Sequence, residues 1–247
     1  MRARLLIFAA LVFVGSLAAC FDTYLFLSER PMVYPRNTLA VEGFGEYSFN
    51  EMKSPDSDAL MANVNFYYGI ADRFSMHLGA GSAEKARGEF SVDEVSVSAS
   101  YNILSRRDGA YTLDGIAACV NNFGGKEVAF EISAPNLFHV GGFTLVAHPV
   151  FEMVSGNGFE YGFGAHGGIF KNFDKRAVFG VGIEYMSGQS GPIFGDRLVE
   201  GESATSLFFG AMLGRNFYIQ NELAKGLSNS RDFGFATTLK FLFDLNR

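Results

Sequence analysis

From about residue 37 onward, larger apolar and small or polar positions alternate with a period of two, in runs of about 10 to 14 residues set apart by turn-like clusters. Leu60, Ala62, Val64, Phe66, Tyr68 and Ile70 share one face, and Met61, Asn63, Asn65, Tyr67 and Gly69 the other. Val95, Val97, Ala99, Tyr101 and Ile103 alternate in the same way with Glu94, Ser96, Ser98, Ser100 and Asn102. In the last run Phe233, Phe235, Thr237, Leu239, Phe241 and Phe243 oppose Asp232, Gly234, Ala236, Thr238 and Lys240. The pattern predicts strands near 37–49, 59–70, 73–83, 90–103, 110–121, 126–133, 138–154, 158–170, 176–187, 203–213, 216–226 and 231–243. Tight connections are expected at Ala71-Asp72, Ser105 to Gly109, Lys171 to Asp174 and Gly214-Arg215, and the longest connection at 188–202.

A soluble sandwich also alternates, but it is charged outside and apolar inside. Here the apolar face is nearly free of charge and the opposite face is small and polar, a poor hydrophobic core but a good wet lumen. The apolar face must then meet lipid, and closure into a barrel satisfies the backbone. The expected fold is all-β: a transmembrane antiparallel up-and-down β-barrel of about twelve strands over residues 37–247. An even count puts both chain ends on the periplasmic side. Composition agrees. The chain is 48% hydrophobic but only 19% charged, below the roughly 25% of soluble domains. Apart from the N-terminus, no apolar run approaches the roughly 20 residues of a membrane helix. The formal charge of −6 argues against nucleic acid as a partner.

Residues 1–19 read as an export signal, with Arg2 and Arg4 ahead of an apolar Leu5 to Val14. Leu17-Ala18-Ala19-Cys20 resembles the lipobox of bacterial lipoproteins, which implies lipidation of Cys20; cleavage after Ala18 without lipid is the alternative. Residues 20–36 are expected as a periplasmic tether, with a partial plug as the other reading, given Phe21, Tyr24 and Phe26. Cys119 reads as a small apolar residue on a strand, since one possible pair with Cys20 makes no disulfide framework.

Two segments carry a family resemblance. Tyr68-Gly69-Ile70-Ala71-Asp72-Arg73-Phe74 is similar to the strand–turn–strand corners of Gram-negative outer-membrane barrels. The Phe-rich final strand resembles their C-terminal assembly signal, although Asp244-Leu245-Asn246-Arg247 follow Phe243. The resemblance names the porin-like superclass and no specific functional family. It implies bacterial outer-membrane localisation, and membrane lipids and the barrel assembly machinery as partners. Alternation leaves the oligomeric state open, because a lipid-facing surface and a trimer interface read alike.

The polar face is acidic. Glu42, Glu46, Glu94, Asp114, Glu127, Glu131, Glu152, Glu160, Glu184, Glu222 and Asp232 fall on it, with Lys240 the clearest base beside them. Most other bases cluster near the expected periplasmic turns: Arg73, Arg106, Arg107, Lys171, Lys175, Arg176 and Arg215. A narrow lumen of this charge attracts cations. Glu42, Glu94, Asp114, Glu184 and Glu222 are the expected selectivity residues of a passive channel for small cationic or neutral solutes. The alternative is a sealed barrel acting through its extracellular loops. Inward Gly162, Gly164, Gly168, Ser96, Ser98 and Ser100 favour open space; Phe44, Tyr67, Tyr218, Leu242 and a lid around Pro192-Ile193-Phe194 would narrow it.

Catalysis finds no candidate. Outer-membrane phospholipases carry a His shortly before Ser-Asn-Gly, whereas Gly226-Leu227-Ser228-Asn229-Ser230-Arg231 has no His upstream in that run. No set matches the paired Asp and Asp–His of outer-membrane proteases. His148 and His166 face inward; a hairpin symmetric about Gly156 would put His166 opposite Val146 and Glu152 opposite Glu160. Polar lining is the simpler reading of these four residues and a metal site built from them the alternative; no enzyme activity, cofactor or metal is expected.

Overall fold

A computed structural model describes residues 21–27, 29–49, 59–86, 89–123, 127–156, 159–187, 202–228 and 232–245. The expected signal at 1–19, Cys20 and the Pro192-Ile193-Phe194 lid lie outside the described residues. The elements are α1 (Thr23–Leu27), β1 (Thr38–Phe49), β2 (Ala59–Ala71), β3 (Phe74–Ala86), β4 (Glu89–Ser105), β5 (Tyr111–Asn122), β6 (Glu127–Ser133), β7 (Asn136–Val140), β8 (Phe143–Ser155), β9 (Phe159–Phe173), β10 (Ala177–Met186), β11 (Glu202–Met212), β12 (Phe217–Ser228) and β13 (Phe233–Asp244). Strands adjacent in the sheet run antiparallel. β13 returns to β1, in register from Thr38↔Asp244 to Phe49↔Phe233, so the sheet closes. β6 and β7 are two halves of one stave, both paired to β5 and β8, and the barrel therefore has the expected twelve staves.

The sixth and seventh staves correct the expected boundaries. The run 138–154 is not one strand: a turn at Gly141-Gly142 splits it, and its first residues complete the sixth stave. Both glycines have positive φ, 58° and 76°, the requirement of a type I′ hairpin turn. The sixth stave breaks at Ala134-Pro135, opposite Pro149 of β8. Proline has no amide to give a ladder, and both prolines sit where the ladder is interrupted. Pro135 still accepts through its carbonyl, from the Asp114 amide at 2.9 Å.

Burial inverts the order of a soluble protein. Glu42, Glu46, Asp114, Glu184, Glu222 and Lys240 are buried, while Phe66, Leu78, Ile132, Phe163, Ile183 and Phe241 are exposed. Strands run from ten residues in β10 to seventeen in β4, apart from the split stave. That is enough for the roughly 9–11 residues a tilted strand needs to cross a bilayer. Cys119 is a free thiol on β5. The hairpin turns at 72–73, 106–110, 141–142, 174–176 and 213–216 share one end of the barrel with Thr38 and Asp244, called the near end below.

Candidate functional site

Residues 21–27 and 29–36 do not hang from the near end as a tether. They enter the lumen and pack there. Phe21, Phe26 and Leu27 join Leu137, Val146, Phe170, Val178, Phe208 and Tyr218 in an apolar cluster inside the barrel. The physical reason is in the segment itself: a stretch reading Tyr24-Leu25-Phe26-Leu27 loses more by hydration than a solvated tether can tolerate. Phe21, at 1% exposure, packs against Phe170 at 5.1 Å and edge-on to Phe208 at 5.5 Å between ring centroids.

Polar bonds fix the segment as firmly as the rings. The Thr23 amide donates to Gln220 Oε1 at 3.2 Å, and the Thr23 hydroxyl bonds both Gln220 and Tyr218. Asn172 Nδ2 donates to the Leu27 carbonyl at 2.8 Å, and the Met32 amide to Asp114 Oδ2 at 2.9 Å. The strongest tie is Lys240, at 1% exposure. Its ammonium pairs with Asp22 Oδ2 of the segment at 2.6 Å and Glu42 Oε2 of the wall at 3.0 Å. It also lies 5.0–5.7 Å from the ring centroids of Tyr24, Tyr34 and Tyr67, close enough for cation–π attraction.

Glycines on the wall make room for these rings. A Cβ at Gly180 would meet the ring of Phe170, one at Gly182 the rings of Phe21 and Phe208, and one at Gly210 the Tyr218 hydroxyl. Gly168, expected as open space, is likewise filled by the ring of Phe170. Along the opposite wall Ser75, His77, Ser98 and Ser100, with Tyr67, border a cavity of about 230 Å³ that runs beside the segment. His77 bonds through both ring nitrogens, to Ser98 Oγ at 3.3 Å and Asn65 Oδ1 at 3.0 Å.

The five expected lumen carboxylates divide into groups. Glu42 is neutralised by Lys240 and accepts from Asn65 at 2.8 Å and Tyr67 at 3.2 Å. Asp114 accepts from Asn102 Nδ2 at 2.7 Å and holds the Met32 amide. Both therefore anchor the inner segment. Glu184 and Glu222 are buried in the half of the lumen beyond the segment, where Glu46 is also buried. Glu94 is partly exposed on β4, facing Gly81 and Asn122 across the ladders. The basic turn residues expected at the near end are there: Arg73, Arg106, Arg107, Lys175, Arg176 and Arg215 are exposed, and Lys171 donates to the Gly141 carbonyl at 3.0 Å.

The β8–β9 hairpin departs from the expected register. Ser155 pairs with Phe159, which shifts the partners by two residues. His148 lies directly opposite His166, Glu152 opposite Gly162, and Glu160 opposite Val154. The like-charge pair is instead Glu131 with Glu152, across β6 and β8. The sequence offered an inward position for residues 21–36 only as the second reading, and Lys240's part in holding the segment was not foreseen. The signal available was the lone lysine on an acidic face, which needs a partner if it is buried.

A closed antiparallel barrel with an apolar exterior and a polar interior is the architecture of the bacterial outer-membrane β-barrels, and this exterior belongs in lipid. Solved structures agree on the fold. An outer membrane channel from Pseudomonas putida F1 is 11% identical over 85% of this chain and 97% of its own, with a TM-score of 0.66. The KdgM porin, solved in complex with disordered oligogalacturonate, is 11% identical over 83% of this chain and 99% of its own, at 0.62. The NanC porin is 10% identical over 82% and 98%, at 0.57. No family model matches the chain, and no curated protein does.

Proposed function

We propose that the chain is a narrow passive channel of the bacterial outer membrane for small cationic or neutral solutes. The carrying observation is the asymmetry of buried charge. Glu46, Glu184 and Glu222 line the half of the lumen beyond the inner segment, while Lys240, the only buried lysine or arginine among the described residues, is already paired. In a low-dielectric wall such an excess raises local cation concentration and repels anions. The fold shared with channels and porins supports the passive part of the reading. Membrane lipids and small solutes are the partners it implies. The Phe-rich β13 that closes the barrel against β1 supports assembly by the barrel machinery.

The packed inner segment favours a second reading, a barrel sealed at rest. Single-channel recording of the full chain in a planar bilayer separates the two. Discrete steps with a cation-positive reversal potential are expected; a folded but silent barrel would refute the channel. Export would run through residues 1–19. Lipidation of Cys20 and this seating of the segment exclude each other, because acyl chains one residue before a ring buried in the lumen have no leaflet to enter. Mass spectrometry of the mature N-terminus decides between them, and an unlipidated terminus is expected for the seated form.

A further inference from the structure

We propose that His148 and His166 form a transit site for a borderline divalent transition-metal ion, of which Zn²⁺ is the probe. The proposal deepens the cation-channel reading and rests on it for the route through the barrel, though not for the binding itself.

The β8–β9 ladder sets the two histidines directly opposite each other on the inward face. Their ring centroids are 5.3 Å apart and their planes cross at 88°. Zinc–nitrogen bonds of about 2.0–2.1 Å at a tetrahedral angle would place two coordinated imidazoles with centroids about 5.2 Å apart. The separation already present is the one a shared ion needs. His148 is 7% exposed, yet neither of its ring nitrogens has a hydrogen-bond partner. Buried polar nitrogens without partners are uncommon and cost stability, and a bound ion would supply the missing partner.

Both histidines border the cavity of about 230 Å³, where Glu131 also stands. A water occupies roughly 30 Å³, so the remaining coordination positions can be filled by solvent. Glu184 lies opposite His166 on its other side and adds negative field to the same row. Imidazole suits zinc, copper and nickel, whereas calcium and magnesium want oxygen ligands. Among the described residues no group of three or more His, Cys, Asp or Glu can hold a metal. Two protein ligands with open positions fit an ion in passage, since conduction needs binding weak enough to release. Phe21 packs edge-on to His166 at 6.5 Å between centroids, so the inner segment adjoins the site.

The test is calorimetric titration of the folded full chain with Zn²⁺ in detergent micelles, for the native protein, His148→Gln, His166→Gln and the control His139→Gln. His139 bonds Thr144 at 3.0 Å and stands apart from the pair. One ion per barrel is expected, with affinity at least about tenfold weaker in either pair variant and unchanged in the control. Circular dichroism confirms that each variant folds, and either one alone carries the result. Absence of Zn²⁺ binding, or binding indifferent to both substitutions, overturns the site. Bilayer recording keeps the two readings apart. A barrel that conducts, neither binds Zn²⁺ nor is blocked by it, loses the site and keeps the channel. A silent barrel that binds Zn²⁺ through both histidines keeps the site and loses the channel.

Discussion

The lumen has two unlike walls built from similar residues. On the wall of β9 to β12, inward Gly168, Gly180, Gly182 and Gly210 sit against aromatic rings, that of Phe21 from the inner segment and those of Phe170, Phe208 and Tyr218 from the wall itself. On the wall of β3 to β5, Ser98, Ser100 and their neighbours border open volume. Small residues thus have two opposite uses. They are sockets where a ring arrives and space where none does. The difference is made by residues 21–36, which press the rings of Phe21 and Phe26 and the side chain of Leu27 onto the first wall and touch the second mainly through single polar bonds, Tyr34 to Ser75 and Met32 to Asp114.

The largest effect is expected at the tie between the segment and the barrel. Lys240→Met leaves Asp22 and Glu42 facing each other without their cation, and removing one partner of a buried pair costs about 3–5 kcal/mol. Thermal unfolding in micelles should show the loss, with a rise in single-channel conductance as the segment leaves its wall. If conductance and stability both stay put, the segment is not held by this tie.

Filling a socket comes next. Gly180→Val would drive a side chain into the ring of Phe170, and overpacking of this kind costs about 1–3 kcal/mol. Limited proteolysis near residues 21–36 should become faster, because the segment no longer seats. Selectivity separates the walls from the carboxylates beyond them. Glu184→Gln with Glu222→Gln should lower cation preference in the reversal potential and leave the proteolysis pattern unchanged. Glu42→Gln should do the opposite, since its charge is spent on Lys240. The smallest effect belongs to the open wall, where Ser100→Ala should change stability by under about 0.5 kcal/mol. A large loss there would mean that the second wall is also packed.

Much of the barrel was legible because the membrane imposes a simple rule on strands. The faces of β2, β10 and β13 follow the alternation closely. The errors came where local chemistry outranks alternation. Gly141-Gly142 carries the dipeptide signature of a tight hairpin, and the outward positions change parity there, from Phe138 and Val140 to Phe143 and Leu145, a break that the single run 138–154 passes over. The β8–β9 register could not be read from Ser155-Gly156-Asn157-Gly158, because a shift of two residues keeps every side chain on its own face. That silent shift is what brought His148 and His166 together.

By itself the sequence determined the closed barrel, its stave count, its apolar exterior and its polar interior, since each follows from which face of a strand a residue occupies. Only the tertiary structure decided which of the inward residues are free. Alternation places a side chain inside but says nothing of what comes to meet it across the lumen. Glu42 and Asp114 read like any other inward carboxylate along the chain, and only the fold brings Lys240 to the first and the Met32 amide to the second, from more than eighty positions away.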